Sequence, residues 1–268
     1  MLLAITSKAL LTALVIISVA KGVERFGPRF GGILAGAPVV VGPAYFFLVT
    51  ENDVAFIISA ALSSMNAMTA TLLFTALYQL LPHLTPLSLA LVLSSAAWLI
   101  SVALLQTNVE SVLLSSMLFA ATYITVKILA SQVQATIHRQ NQSTCFDIAY
   151  KAVAAGILVG AGTGLTSYTG ASLSGVIVGF PIGLTIIVIT LHYRHGPDVA
   201  KTTLATAQTG MISIFSFLLA LSHLATFLSP LSAFILSIAT ALIVTLSFLL
   251  FEFFSLIGPF PPNDNDRR

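Results

Sequence analysis

An all-α polytopic membrane bundle, two inverted four-helix repeats joined by one linking helix, is the fold class this sequence predicts, and three observations predict it. Of the 268 residues 57% are hydrophobic and only 7% are charged, with a mean hydropathy of +1.01. Soluble domains carry roughly 25% charged residues, so an ordinary soluble enzyme is excluded. The few basic residues fall on one side of the apolar segments. A pattern of Lys, Gly and Pro recurs at a fixed offset.

Spans of about 20 apolar residues are the unit to count. The first covers 2–20, interrupted only by Lys8. Its competing reading is a signal peptide, with Ala9–Ala20 as the apolar region and Ser18-Val19-Ala20 as the cleavage site. Against it stand the apolar stretch Met1–Thr6 and the repeat described below, which needs this helix. Charge-free stretches then give helices at about 30–50, 54–81, 86–106 and 110–130. Ala152–Leu191 and Thr202–Phe251 contain no Asp, Glu, Lys or Arg, and each is too long for one span. Turn chemistry at Ser167-Tyr168-Thr169-Gly170 and at Ser229-Pro230 divides them. With a helix at 146–166, the later spans fall at 171–192, 199–224 and 229–256, and the expected total is nine.

Orientation follows from the basic residues. With the N-terminus outside, the cytoplasmic face receives Lys21, Arg25, Arg29, Lys127, Arg139, Lys151, Arg194, Lys201, Arg267 and Arg268, leaving only Lys8 of the 11. Glu51, Asp53 and Glu110 fall in external loops. This partition places the C-terminus in the cytoplasm.

Lys8, Gly27, Gly32, Gly36 and Pro38 match Lys151, Gly170, Gly175, Gly179 and Pro181 at an offset of 143. Leu84-Thr85-Pro86-Leu87-Ser88 matches Leu228-Ser229-Pro230-Leu231-Ser232 at 144. The expected organisation is a first repeat over 1–107, a linking helix and loop over 108–145, a second repeat over 146–257 and a polar tail over 258–268. Five helices separate equivalent elements, so the second copy enters the membrane from the opposite side. Inverted halves characterise many secondary transporters. Duplication of a dual-topology protein without transport gives the same pattern.

Pro38 and Pro181 are expected near the membrane midplane, where proline leaves an upstream carbonyl without its partner. With Gly32, Gly36, Gly175 and Gly179 they are the candidate hinge or packing residues. Interrupted helices at corresponding positions point to a transport site, while Gly-xxx-Gly spacing is also ordinary close packing, within the chain or between copies of a homo-oligomer. Lys8 precedes Ala20 by about 18 Å of helix, short of a hydrocarbon core of about 30 Å. Its ammonium is therefore expected inside the bilayer, with Lys151 in the equivalent place near the other face. Either marks a solute pathway or snorkels to the interface. Asn66 and Gln208, mid-way through their helices, are candidate solute ligands or inter-helix bonds. His192-Tyr193-Arg194-His195 is a candidate cytoplasmic gate or lipid-headgroup contact.

Other classes are closed by what the chain lacks. A net charge of +2 is no nucleic-acid footprint, and the single Cys145 permits neither an internal disulfide nor a cysteine-rich metal site. No phosphate-binding loop, His-Glu-x-x-His or Gly-x-Ser-x-Gly motif occurs. The chain is expected not to be an enzyme, with no metal and no cofactor. Its expected partners are membrane lipids and an unidentified small solute.

Each copy, roughly Lys8–Leu105 and Lys151–Leu249, resembles the small four-helix GlpM-like bacterial inner-membrane proteins, in the lysine of the first helix and the Gly-rich, proline-containing second. Gly175-Val-Ile-Val-Gly-Phe-Pro181 and its continuation through Thr190-Leu-His192-Tyr193 carry most of the likeness. The resemblance implies a duplicated, fused form in a bacterial inner membrane and little about activity. The charged loop Lys21–Arg29 departs from the second copy.

These patterns lead to the expectation of a permease for a small solute, an anionic one being a candidate, with a non-transporting membrane factor (assembly, regulatory, or of a lipid or envelope-polysaccharide pathway) as the second reading. Replacing Lys8 or Lys151 by Met is expected to abolish flux while leaving membrane abundance unchanged. Unaltered flux would end the assignment of those lysines to a pathway.

Overall fold

The computed structural model describes Pro38 and residues 41–81, 84–130 and 166–257. Every regular element among them is a helix: α1 (Val41–Glu51), α2 (Val54–Leu80), α3 (Leu87–Asn108), α4 (Val112–Ala130), α5 (Thr166–Gly179), α6 (Ile182–His195), α7 (Pro197–Leu224) and α8 (Pro230–Ile257). Six segments among the described residues are long and apolar enough to span a membrane: α2, α3, α4, Gly170–Tyr193 across α5 and α6, α7 and α8. The chain is an integral membrane protein. Among the described residues, the expected nine is thus corrected to six. The spans at 2–20 and 146–166 lie outside the described residues, as do Lys8, Lys151, Gly32 and Gly36. The span at 30–50 is represented by α1, whose 11 residues rise about 17 Å, too short to cross alone.

Helix boundaries follow local chemistry. Asp53 caps α2, its carboxylate accepting from the Phe56 N–H at 2.8 Å. Pro197 and Pro230 open α7 and α8, where a missing N–H costs nothing. Gly196, at φ 85°, makes the turn from α6 to α7, in a conformation L side chains rarely adopt.

Burial separates a centre from a periphery. Within their apolar windows α2 is 72% and α7 56% buried, whereas α3, α4 and α8 are 22%, 17% and 17% buried. Ile57, Met65, Leu72, Leu204, Met211 and Leu218 pack in the core. Ile100, Leu113, Ile128, Ile243 and Phe251 point outward, an apolar perimeter far beyond what a soluble monomer exposes. It faces lipid.

Side-chain contacts fix the helix directions. Thr71 meets Trp98 while Ser63 meets Gln106, so α2 and α3 are antiparallel. Phe119 stacks on Phe215 at 3.9 Å and Lys127 reaches Ala205, so α4 and α7 are antiparallel. Ser64 and Thr71 meet Gly175 and Gly179 in the same order, so α2 and α5 run parallel. The short link Val109–Ser111 reverses α3 into α4, leaving α2 and α7 antiparallel. These two central helices are the elements the repeat equates, since Val54 and Leu80 fall on Pro197 and Leu224 at offsets of 143 and 144.

Glycine sets how closely α5 approaches α2. A Cβ on Gly175 would collide with the Ala60 carbonyl oxygen and stand 2.8 Å from Ser63 Cβ, and one on Gly179 would stand 2.5 Å from Ala67 Cβ. Nothing lies within 4 Å of a Cβ on Gly183. Gly175→Val is therefore expected to cost at least about 1–3 kcal/mol through overpacking. Gly183→Ala, inside α6, should gain about 0.5 kcal/mol from the unfolded state. Thermal unfolding of the detergent-purified protein compares them, and equal midpoints would refute the close-packing role.

Candidate functional site

Pro181 breaks the span that contains it. Having no N–H, it ends α5, where Phe180 N–H bonds the Ile177 carbonyl, and its own carbonyl starts α6 by accepting from Thr185 N–H at 2.9 Å. Eleven residues from Gly170 and twelve from Tyr193, it sits about 17 Å from either end of the span, near mid-membrane. Pro38, also buried, makes the equivalent bond, accepting from Gly42 N–H at 2.8 Å. Both prolines thus act as helix starters at corresponding positions.

Hydroxyls from α2 solvate the broken helix. Ser64 donates to the Gly175 carbonyl at 2.8 Å and shares its oxygen with the Tyr45 hydroxyl, also at 2.8 Å. Thr71 lies 3.5 Å from the Gly179 carbonyl, donates to Ala67 O and accepts from Trp98 Nε1 at 2.9 Å. Trp98 also meets Phe180 edge to face at 5.0 Å, bracing the break from α3. Below it, Tyr78 OH and His192 Nδ1 are 2.8 Å apart and tie α2 to α6.

The two amides do not converge. Gln208, fully buried, donates from Nε2 to Thr75 Oγ1 at 2.9 Å across the α2–α7 crossing. Thr75 sends its own proton to Leu72 O, which fixes the direction of that bond and leaves Gln208 Oε1 without a partner. Asn66 stands nine residues from Thr75, two and a half turns along α2 and so on its opposite face. There it donates to Val109 O at 3.1 Å and clips the end of α3. Of the pair, only Gln208 belongs to the central crossing.

One polar residue of the bundle was hidden in the charge count. Lys127, assigned by sequence to the cytoplasmic face, lies within the last turn of α4 and donates to Ala205 O at 2.7 Å and Thr209 Oγ1 at 3.1 Å. The Tyr123 ring centre is 5.6 Å from its Nζ, within cation–π range. The expected helix at 110–130 already contained it, and that was the available signal. At the other end of α7, a cleft of about 420 Å³ is bordered by Val112, Ser216, His223 and Thr240. No group of three or more His, Cys, Asp or Glu suited to a metal occurs among the described residues.

No family model, no curated protein and no solved structure matches the chain.

Lys127→Met removes two charge-assisted bonds to α7 and should cost about 1–2 kcal/mol, lowering the unfolding midpoint in detergent. An unchanged midpoint would mean that the ammonium is solvated at the interface instead.

Proposed function

We propose that the chain is a secondary transporter of a small solute, working by alternating access between two inverted halves. One observation carries this reading: a helix broken at mid-membrane by Pro181 lies against the polar face of α2, beside the crossing of α2 with α7. Non-helical backbone at that depth is tolerated where protein or a cavity satisfies it, and discontinuous helices at repeat-equivalent positions are the usual sites of transporters. Further support comes from the antiparallel course of α2 and α7, which an inverted duplication requires, and from the shared bond pattern after Pro38 and Pro181.

In this mechanism α2 with α3, and α7 with α8, form the two moving halves. The contacts that hold the break, Ser64 to Gly175 and Thr71 to Gly179, are weak enough to exchange when one half rocks. The bacterial inner membrane, the N-out orientation and kinship with GlpM-like proteins belong to the same proposal.

Proteoliposomes containing the purified protein test it directly. Labelled candidate solutes are expected to accumulate under an imposed proton or sodium gradient, and Pro181→Ala, which lets a continuous helix form, should slow uptake tenfold or more without loss of protein. A panel of small anions, amino acids and polyols that fails to enter under either gradient would refute transport and favour the non-transporting membrane factor.

A further inference from the structure

The cleft where α4, α7 and α8 meet takes no part in the helix break or in the α2–α7 crossing. It holds about 420 Å³ between Val112 of α4, Ser216, Leu219, Ala220 and His223 of α7, and Thr240 of α8. His223 stands in the last turn of α7, and Ser216 precedes it by two turns, so the cleft runs about 10 Å inward from one end of the bundle. Phe119, two turns beyond Val112 on α4, stacks on Phe215 at 3.9 Å. The seam between α4 and α7 is shut there, which makes the cleft a recess and not a passage.

Sideways the recess opens toward lipid. Leu113 beside Val112, Leu219 in the floor, and Leu236 and Ile243 one turn either side of Thr240 are all exposed. Its hydroxyls add little polarity: Ser222 gives its proton to Leu219 O and Thr240 to Leu236 O, so both are spent within their own helices. A water there would lack the roughly 2–4 polar partners it needs. An empty recess would leave its walls without van der Waals partners on one side. Inside a bilayer the filler that meets neither objection is an acyl chain.

We infer that the recess is a binding site for one membrane phospholipid, with an acyl chain lying on α7 between α4 and α8 and the headgroup at the His223 end. The hydrophobic effect contributes little, because lipid tails are as apolar as the walls; van der Waals packing in a shaped recess holds the chain. Three helices contact it, whereas a lipid on the outer face of α3 meets one. This lipid therefore exchanges more slowly than its neighbours and fills the seam between α7 and α4, the helix that belongs to neither repeat. The inference goes beyond the transport reading and does not rest on it.

Native mass spectrometry of the detergent-purified full chain tests it. The parent is expected to keep one phospholipid per chain through detergent exchange. Ala220→Phe and Thr240→Phe, which fill the recess from its floor and from one wall, should each lower the lipid-bound fraction at least about fivefold. Ile100→Phe, on the exposed face of α3, should leave it within about twofold. A second measurement needs no variant: in vesicles of phosphatidylethanolamine and phosphatidylglycerol, a phospholipid with a diazirine on its acyl chain should, on illumination, label residues 216–223 at least about fivefold more than the surface around Ile100. A parent without bound lipid, equal retention by Ala220→Phe with an unchanged unfolding midpoint, or labelling spread evenly over the perimeter overturns the inference. So does a lipid-free dimer in which a second copy covers the recess.

Discussion

Backbone hydrogen bonding in lipid is the constraint on which the rest of this structure depends. Where no water can solvate a peptide group, a helix interrupted at mid-membrane must find its lost bonds in a neighbour. Pro181 interrupts one such helix: Ile177 O, the carbonyl its missing N–H would have bonded, takes the Phe180 N–H instead, and Ser64 of α2 donates to the Gly175 carbonyl alongside. That hydroxyl reaches the carbonyl of α5 because glycines at 175 and 179 bring the two backbones close. Proline, glycines and the Ser64 hydroxyl therefore sit together: the proline breaks the helix, and the glycines let α2 pack and bond beside the break. The readings of Gly175 and Gly179 as hinge and as packing residues cease to compete, since close packing is what makes the break tolerable.

The same logic ranks the polar groups of the interior. Trp98 donates to Thr71, Asn66 to Val109 O and Gln106 to Ser63 O, and each bond locks α3 to α2. Lys127 similarly locks α4 to α7. Such bonds fix geometry at modest energy, typically below about 1 kcal/mol each within membranes. All three interior amides, Asn66, Gln79 and Gln208, nevertheless keep one buried atom unmatched.

How much of this was legible in the sequence depended on distance along the chain. Spans declare themselves through local composition, so α2, α3, α4, α7 and α8 fall within a few residues of the expected limits, and Ser229-Pro230 marked the start of α8 as expected. The helix break was legible too, because a proline's missing N–H is a local fact. What could not be read was which face each polar residue presents and to whom. Asn66 and Gln208 looked alike as mid-helix amides, yet Asn66 lies on the face of α2 opposite Thr75 and bonds the end of α3, whereas Gln208 bonds Thr75 in the α2–α7 crossing. Lys127, assigned to the cytoplasmic face, makes a contact with α7 that the charge count did not carry. Orientation rules count a lysine near a helix end as interfacial, and they carry no information about a carbonyl one helix away that takes its proton.

A duplicated scaffold need not carry duplicated chemistry, and here the difference is specific. At offsets of 143 and 144 the counterparts of Lys201 on α2 are Ile58 and Ile57, and those of Gln208 are Met65 and Ser64. The match between the two segments thus does not extend to Lys201 or Gln208. The helix-starting prolines, by contrast, make the same bond in both copies. Motion in an inverted-repeat protein requires the halves to exchange conformations of nearly equal energy, which favours keeping the backbone devices paired. On the proposed transport reading that requirement falls on the prolines, which make the same helix-starting bond at both corresponding positions.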